Sequence, residues 1–109
     1  MKEKDDPFHT GSLDGTLLSP TRMAIIVLLA MYEEADFTFL KNELGMSDGN
    51  LGANMRKLED ENYITSRKMF VGRKPKTSYR INAYGLEKLK NFIESMKKVE
   101  LSVKTHKRQ

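Results

Sequence analysis

The five residues Leu44-Gly45-Met46-Ser47-Asp48 restrict this chain more than any other stretch, because they stop one helix and start the next with almost no room between. Gly45 can take the left-handed conformation that closes a helix C-terminus. Ser47 can cap the free N–H groups of the following helix, Asp48 sets negative charge at the positive end of its dipole, and Met46 can pack on Leu51 as a hydrophobic staple. Helices joined this tightly cross at a steep angle. Residues 39–44 and about 47–61 are therefore expected as a helix pair, with the rest of the chain as its support.

The second helix of the pair has two distinct sides. Leu51, Met55 and Leu58, spaced by four and three, form its inward stripe. At 100° per residue, Gly49, Ala53, Arg56, Lys57 and Asp60 fall on the far side, with Asn50 and Asn54 on a flank. That outer side is polar, small near its start and basic in the middle. Upstream, Ser19-Pro20 is a strong helix start, and Pro20 to about Glu33 is apolar nearly all round, which predicts a central buried helix. Asp36-Phe37-Thr38 can supply an edge strand or an extended link, with Thr38 as cap of the helix from Phe39 to Leu44.

Downstream, Asn62 can end its helix in a left-handed residue, and Tyr63–Phe70 is rich enough in β-branched and aromatic residues for a strand. Gly72 and Pro75 then read as breakers before Thr77–Ile81 resumes a second strand. Alternation puts Tyr79 and Ile81 on one face of it, Ser78 and Arg80 on the other. The hairpin carries Arg67, Lys68, Arg73, Lys74, Lys76 and Arg80 without one acid. Asn82 can cap a last helix, in which Leu86, Leu89, Ile93 and Met96 repeat at the spacing of a helix-pairing seam or of a stripe that closes the core.

With 109 residues the chain is expected to form one domain: residues 1–12 as an arm, 13–98 as the folded unit, and 99–109 as a helix end with a basic tail. Its net charge of +4 is segregated, since residues 1–36 hold seven acids and three bases and residues 37–109 hold eight acids and sixteen bases. One basic side is the expected footprint of a polyanion partner, nucleic acid above all, although an anionic membrane would attract the same charge. Lack of cysteine removes disulfides and thiolate chemistry and fits a reducing cytosol. The longest apolar run, Met23–Tyr32, is far short of the roughly 20 residues of a membrane span, and the N-terminus lacks a hydrophobic signal region. A cytoplasmic protein without membrane contact is expected.

The order helix, short strand, helix, helix, strand, basic loop, strand, helix is that of a winged helix. The residues LLSPTRMAIIVLL, DFTFLKNELGMSDGNLGANMRKLEDENYI and FVGRKPKTSYRINAYG resemble the small archaeal and bacterial winged-helix transcription regulators related to the MarR and ArsR families. The likeness spans roughly residues 13–98 and is most specific at SDGNL and at GRKPKT with YRIN-x-x-G. It implies an α+β, mainly α fold, a winged helix-turn-helix with a three-helix core, a β-hairpin wing and a C-terminal helix. It also implies a homodimer paired through terminal segments, with Leu13, Leu17, Leu86, Leu89, Ile93 and Met96 as pairing candidates. Carried onto this chain, the reading helix offers Ser47, Asp48, Gly49, Asn50, Ala53, Asn54 and Lys57.

The chemistry of these residues gives each a separable role toward double-stranded DNA. Asn50 and Asn54 can bond base edges, adenine best, while Arg56 and Lys57 can meet phosphates. Gly49 and Ala53 leave room for close approach to the groove. Arg73, Lys74 and Lys76, with Lys68 behind them, can straddle a phosphate backbone or enter the minor groove over residues 70–77. Arg22 is a candidate for a phosphate or a structural salt bridge. A winged-helix protein-interaction module without DNA binding of its own is the alternative, since fold alone does not decide function. His9 and His106 stand in opposite tails with no clustered ligands and no Gly-rich phosphate loop, so no catalytic residue, metal site or cofactor is assigned. The seven methionines read as core filler, and no small-molecule effector is indicated.

Overall fold

A computed structural model describes residues 13–106. The elements run α1 (Pro20–Met31), β1 (Ala35–Asp36), α2 (Phe37–Leu44), α3 (Asp48–Asp60), β2 (Ile64–Val71), β3 (Lys74–Ile81) and α4 (Ala83–Thr105). This is the expected mainly helical winged helix-turn-helix order. The arm expected over residues 1–12 and the last three residues of the basic tail lie outside the described residues. Helix α4 continues unbroken past residue 98 to Thr105, within the stretch expected as helix end and tail.

Local chemistry accounts for most boundaries. Ser19 accepts from the Arg22 N–H at the start of α1, where Pro20 sits at the first helical position with no N–H to leave unpaired. Gly45 ends α2 at φ 62°, and the Ser47 side chain accepts from the Asn50 N–H at the start of α3. Asn62 follows α3 at φ 67°. Helix α2 begins two residues earlier than expected, because Asp36 rather than Thr38 is the cap: its carboxylate accepts from the Phe39 N–H at 2.7 Å. That bond, aided by Lys76, holds the Asp36 carboxyl below the ordinary carboxylate range.

The sheet is antiparallel with order β1-β3-β2. Ala35 and Asp36 pair with Tyr79 and Ser78, so β1 covers only the body end of β3. Beyond it the hairpin stands free. The strands extend to a two-residue Gly72-Arg73 turn, since Val71 pairs with Lys74. Gly72 therefore ends the strand as expected, whereas Pro75 does not break it and lies inside β3. Gly72, at φ 67°, supplies the positive φ at the first turn position of a type II′ loop. Pro75 is tolerated opposite Phe70 because β3 is an edge at that height.

The core is built from Leu17, Ile25, Ile26, Leu29, Leu40, Leu51, Met55, Leu58, Tyr63, Ile64 and Leu89, with Met46 and Phe92 among the residues packed against it. A fully buried side chain of this size contributes about 1.5–3 kcal/mol. Helix α1, expected as the central buried helix, buries Ile25, Ile26 and Leu29, while Val27 and Met31 are exposed. Residues 13–18 form turns pinned to the body. Leu17 enters the core, Asp14 accepts from the Tyr63 hydroxyl, and the Thr16 hydroxyl donates to Glu61. Burial and the Asp14 carboxylate hold the Tyr63 phenol well above its ordinary range, so it remains a donor.

One close approach fixes the last helix. The Asn82 side chain accepts from the Gly85 N–H at 2.8 Å and donates to the Asn62 carbonyl at 2.8 Å, while the Asn82 N–H donates to the Tyr63 carbonyl at 3.1 Å. A Cβ on Gly85 would lie 2.1 Å from the Tyr63 carbonyl oxygen, whereas one on Gly52, inside α3, would meet nothing within 4 Å. The two glycines should respond oppositely to alanine in denaturant unfolding. Gly52→Ala should gain up to about 1 kcal/mol from helix propensity, and Gly85→Ala should lose about 1–3 kcal/mol from overpacking against backbone. A stabilising Gly85→Ala would contradict this packing.

Candidate nucleic-acid interface

Helix α3 is held by its apolar stripe, Leu51, Met55 and Leu58, all buried, and this rotates the opposite side outward. Ser47, Asp48, Gly49, Asn50, Ala53, Arg56 and Lys57 are exposed, and Asn54 is half-buried on the flank. Nothing in the fold requires glycine at position 49, where an added Cβ would stand in open space. Asp48 is drawn toward α2 by Lys41 at 2.8 Å, which offsets its charge beside the dipole end.

The two asparagines differ in their availability. Asn54 Nδ2 donates to the Asn50 carbonyl and to Asn50 Oδ1, each at 2.9 Å, and its Oδ1 accepts from Arg22 Nη1 at 3.1 Å. Its amide is thus engaged inside the protein. Arg22, in the first turn of α1, also donates from Nε to the Thr16 carbonyl at 2.9 Å. It is tied to neutral oxygens and forms no salt bridge with a described residue, while the Lys57 bond above all, with a smaller effect of the Arg22 charge, lowers the Glu61 carboxyl below its ordinary range. No sequence pattern marks this connection, because Arg22 and Asn54 stand 32 residues apart.

The basic residues fall into two groups. Three have acidic partners: Lys57 meets Glu61 at 2.7 Å, Arg67 meets Glu34 at 2.9 Å, and Lys76 meets Asp36 at 3.3 Å. Such exposed pairs are worth at most about 1 kcal/mol, and a phosphate can compete for them. Arg56, Lys68, Arg73 and Lys74 make no ion pair with a described residue, and Arg73 with Lys74 occupies the hairpin turn and its first strand position. Phe70, 74% exposed, stands beside them, which its placement in a β-rich run did not announce.

The expected pairing residues also separate. Leu17 is turned into the protomer's own core, and Leu89 is largely buried there while also lining the groove between α1 and α4. Leu13 is half-buried; Leu86, Ile93 and Met96 are exposed on α4. An open apolar groove of roughly 740 Å³ lies between α1 and α4, lined by Met23, Val27, Met31, Phe92, Ile93 and Met96 among others. Leu101 and Val103 prolong the exposed apolar surface toward the end of α4. Among the described residues no group of three or more acids and histidines could hold a metal ion, and no helix is long and apolar enough to cross a membrane.

Comparison with known proteins agrees with this geometry. Residues 21–99 match the family model of the winged helix DNA-binding domain. An uncharacterized protein of Methanocaldococcus jannaschii is 33% identical over 75 residues, 69% of this chain and 82% of its own length. Among solved structures, a transcriptional regulator homologue from Pyrococcus horikoshii OT3 superimposes with a TM-score of 0.77 at 27% identity, over 94% of this chain and 98% of that one. A MarR-family regulator described as such from Porphyromonas gingivalis W83 shares the fold at a TM-score of 0.62 and 18% identity, over 75% and 79% of the two chains. With its helix pair, its three-stranded sheet and a family match over most of its length, the chain belongs to the winged-helix DNA-binding domain family and has the fold of transcription regulators, not of an enzyme.

Proposed function

We propose that the protein is a sequence-specific regulator that binds double-stranded DNA as a homodimer, with α3 in the major groove and the hairpin tip on the flanking backbone or in the minor groove. The observation that carries this reading is a set of exposed bases with no acidic partner among the described residues: Arg56 on α3, Lys68 and Arg80 on the strands, and Arg73 and Lys74 at the free end of the hairpin. Bases left without acids on α3 and the hairpin are available to neutralise phosphates. On α3, Ser47, Gly49, Asn50 and Ala53 form a small polar surface able to approach base edges, with Arg56 and Lys57 further along for the backbone. Lys68 and Lys76 lie on the strands behind the turn and contribute attraction at longer range. A protein-docking surface would be expected to carry large apolar residues on this side of α3, and Ser47, Gly49, Asn50, Ala53, Arg56 and Lys57 include no apolar side chain larger than that of Ala53.

The dimer is proposed to form across the α1–α4 groove, where the described residues leave Met31 68% exposed and Ile93 and Met96 partly open. A second copy supplies the same apolar stripe, so the contact is self-complementary about a two-fold axis. The site on DNA is then expected to be pseudo-palindromic, its half-site spacing fixed by α4.

Two measurements test the two parts separately. In duplex binding across a salt series, Arg73→Ala with Lys74→Ala should weaken affinity for all sequences alike and reduce the slope of log K against log salt by about 0.9 for each lost phosphate contact. An unchanged slope would remove the hairpin from the interface. Ile93→Glu should convert a dimer into a monomer by light scattering while the far-ultraviolet spectrum stays the same, since a charge in an apolar seam has no partner. A protein already monomeric before the substitution would refute the pairing.

A further inference from the structure

The bonds around Asn54 determine how its neighbour is presented. An arginine side chain only donates, so the Asn54 atom facing Arg22 Nη1 is the oxygen. A backbone carbonyl only accepts, so the Asn54 atom facing the Asn50 carbonyl is the nitrogen. These two conditions fix the Asn54 amide in one orientation independently of each other. Its nitrogen, with two hydrogens for two acceptors, then fixes Asn50: the atom turned toward it at 2.9 Å must be Oδ1. The NH2 group of Asn50, on the exposed side of α3, is left to face outward with no partner among the described residues.

We propose that Arg22 is a positioning residue for recognition: through Asn54 it locks Asn50 with its NH2 group outward, so that this point of α3 selects base edges rich in acceptors. This rests on the reading of α3 as the helix that enters the major groove. A guanine presents two acceptors there, N7 and O6, and a thymine presents O4. The two-point pairing of asparagine with adenine instead needs a free acceptor and a free donor on one amide, and the Asn50 oxygen is already partly engaged. The preference under Asn50 is therefore for guanine or thymine edges over adenine or cytosine. Arg22 is anchored for this task by its second bond, from Nε to the Thr16 carbonyl, in the turn segment that Leu17 and Asp14 pin to the body.

The test starts from a randomised duplex library selected with the wild-type protein at low salt. Asn50→Ala identifies the base position read at this point, as the one where discrimination disappears. Arg22→Met should lower discrimination at that same position by roughly tenfold, the size of one good base contact, and leave the other positions and the salt slope as they were. Asn54→Asp should keep the bond from Arg22 but offer Asn50 only acceptors, so Asn50 should turn its NH2 inward and its oxygen out. Preference at that position should then invert toward adenine N6 or cytosine N4, on top of a uniform loss of affinity from the added charge. Thermal unfolding of each variant verifies folding, and if Arg22→Met does not fold, the inversion by Asn54→Asp decides alone.

A uniform loss of affinity in Arg22→Met, with a salt slope lower by about one, would mean that Arg22 is itself a phosphate contact and would overturn the proposal. Unchanged base preferences in both variants would overturn it as well, while leaving DNA binding intact. A wild-type protein that selects no duplex at all would overturn the DNA-binding reading and this inference with it.

Discussion

The approach of Gly85 to the Tyr63 carbonyl is the contact on which the rest of the arrangement depends. At that point the end of α3, the start of β2, the end of β3 and the start of α4 meet, and the Asn82 side chain bonds across them to Asn62 and Gly85. Asn62 turns the chain out of α3 through its left-handed conformation, and Tyr63 carries its hydroxyl down to Asp14 in the N-terminal turns. One short segment thus sets the direction of the reading helix, the root of the hairpin and the departure of α4. None of these bonds is large alone, at about 1 kcal/mol net, but each satisfies a polar group that the fold would otherwise leave costly. No buried side-chain polar atom among the described residues lacks a partner.

From that root the protein divides its charge. Acids at Glu34, Asp36 and Glu61 pair with Arg67, Lys76 and Lys57, and these exposed pairs add little stability. Arg56 on α3, Arg80 at the root of the hairpin, and Lys68, Arg73 and Lys74 further along it make no ion pair with a described residue, and β1 supports the hairpin only near its base. A two-stranded hairpin with a two-residue turn carries Arg73 and Lys74 at its end, away from β1. In the proposed reading, general affinity for DNA sits on the hairpin and discrimination on α3, each tunable without the other.

How much of this could be read from the chain depended on the range of the interaction. The Gly45 turn, the Ser47 and Asn82 caps and the left-handed Asn62 follow from rules that span four residues, and all were legible. The hairpin was legible as a basic hairpin, but not its length, because Pro75 breaks a strand only where a neighbour needs its N–H, and β1 is too short to be that neighbour. Helix α1 showed how much apolar surface it carries and not what covers it; periodicity reports composition, and the open side between Val27 and Met31 was invisible to it. The pairs Arg22–Asn54, Lys76–Asp36 and Arg67–Glu34 join segments more than 30 residues apart, and only the fold brings them together. They decide which candidate side chains face outward.

In the proposed reading α3 and the hairpin tip form one surface for duplex DNA. The most direct test is to titrate ¹⁵N-labelled protein with a duplex it selects and to follow each backbone amide. The largest shifts should fall at residues 47–54 and 71–74, with Met31 and Ile93 unmoved. Shifts concentrated along the α1–α4 groove, with the hairpin tip silent, would contradict it.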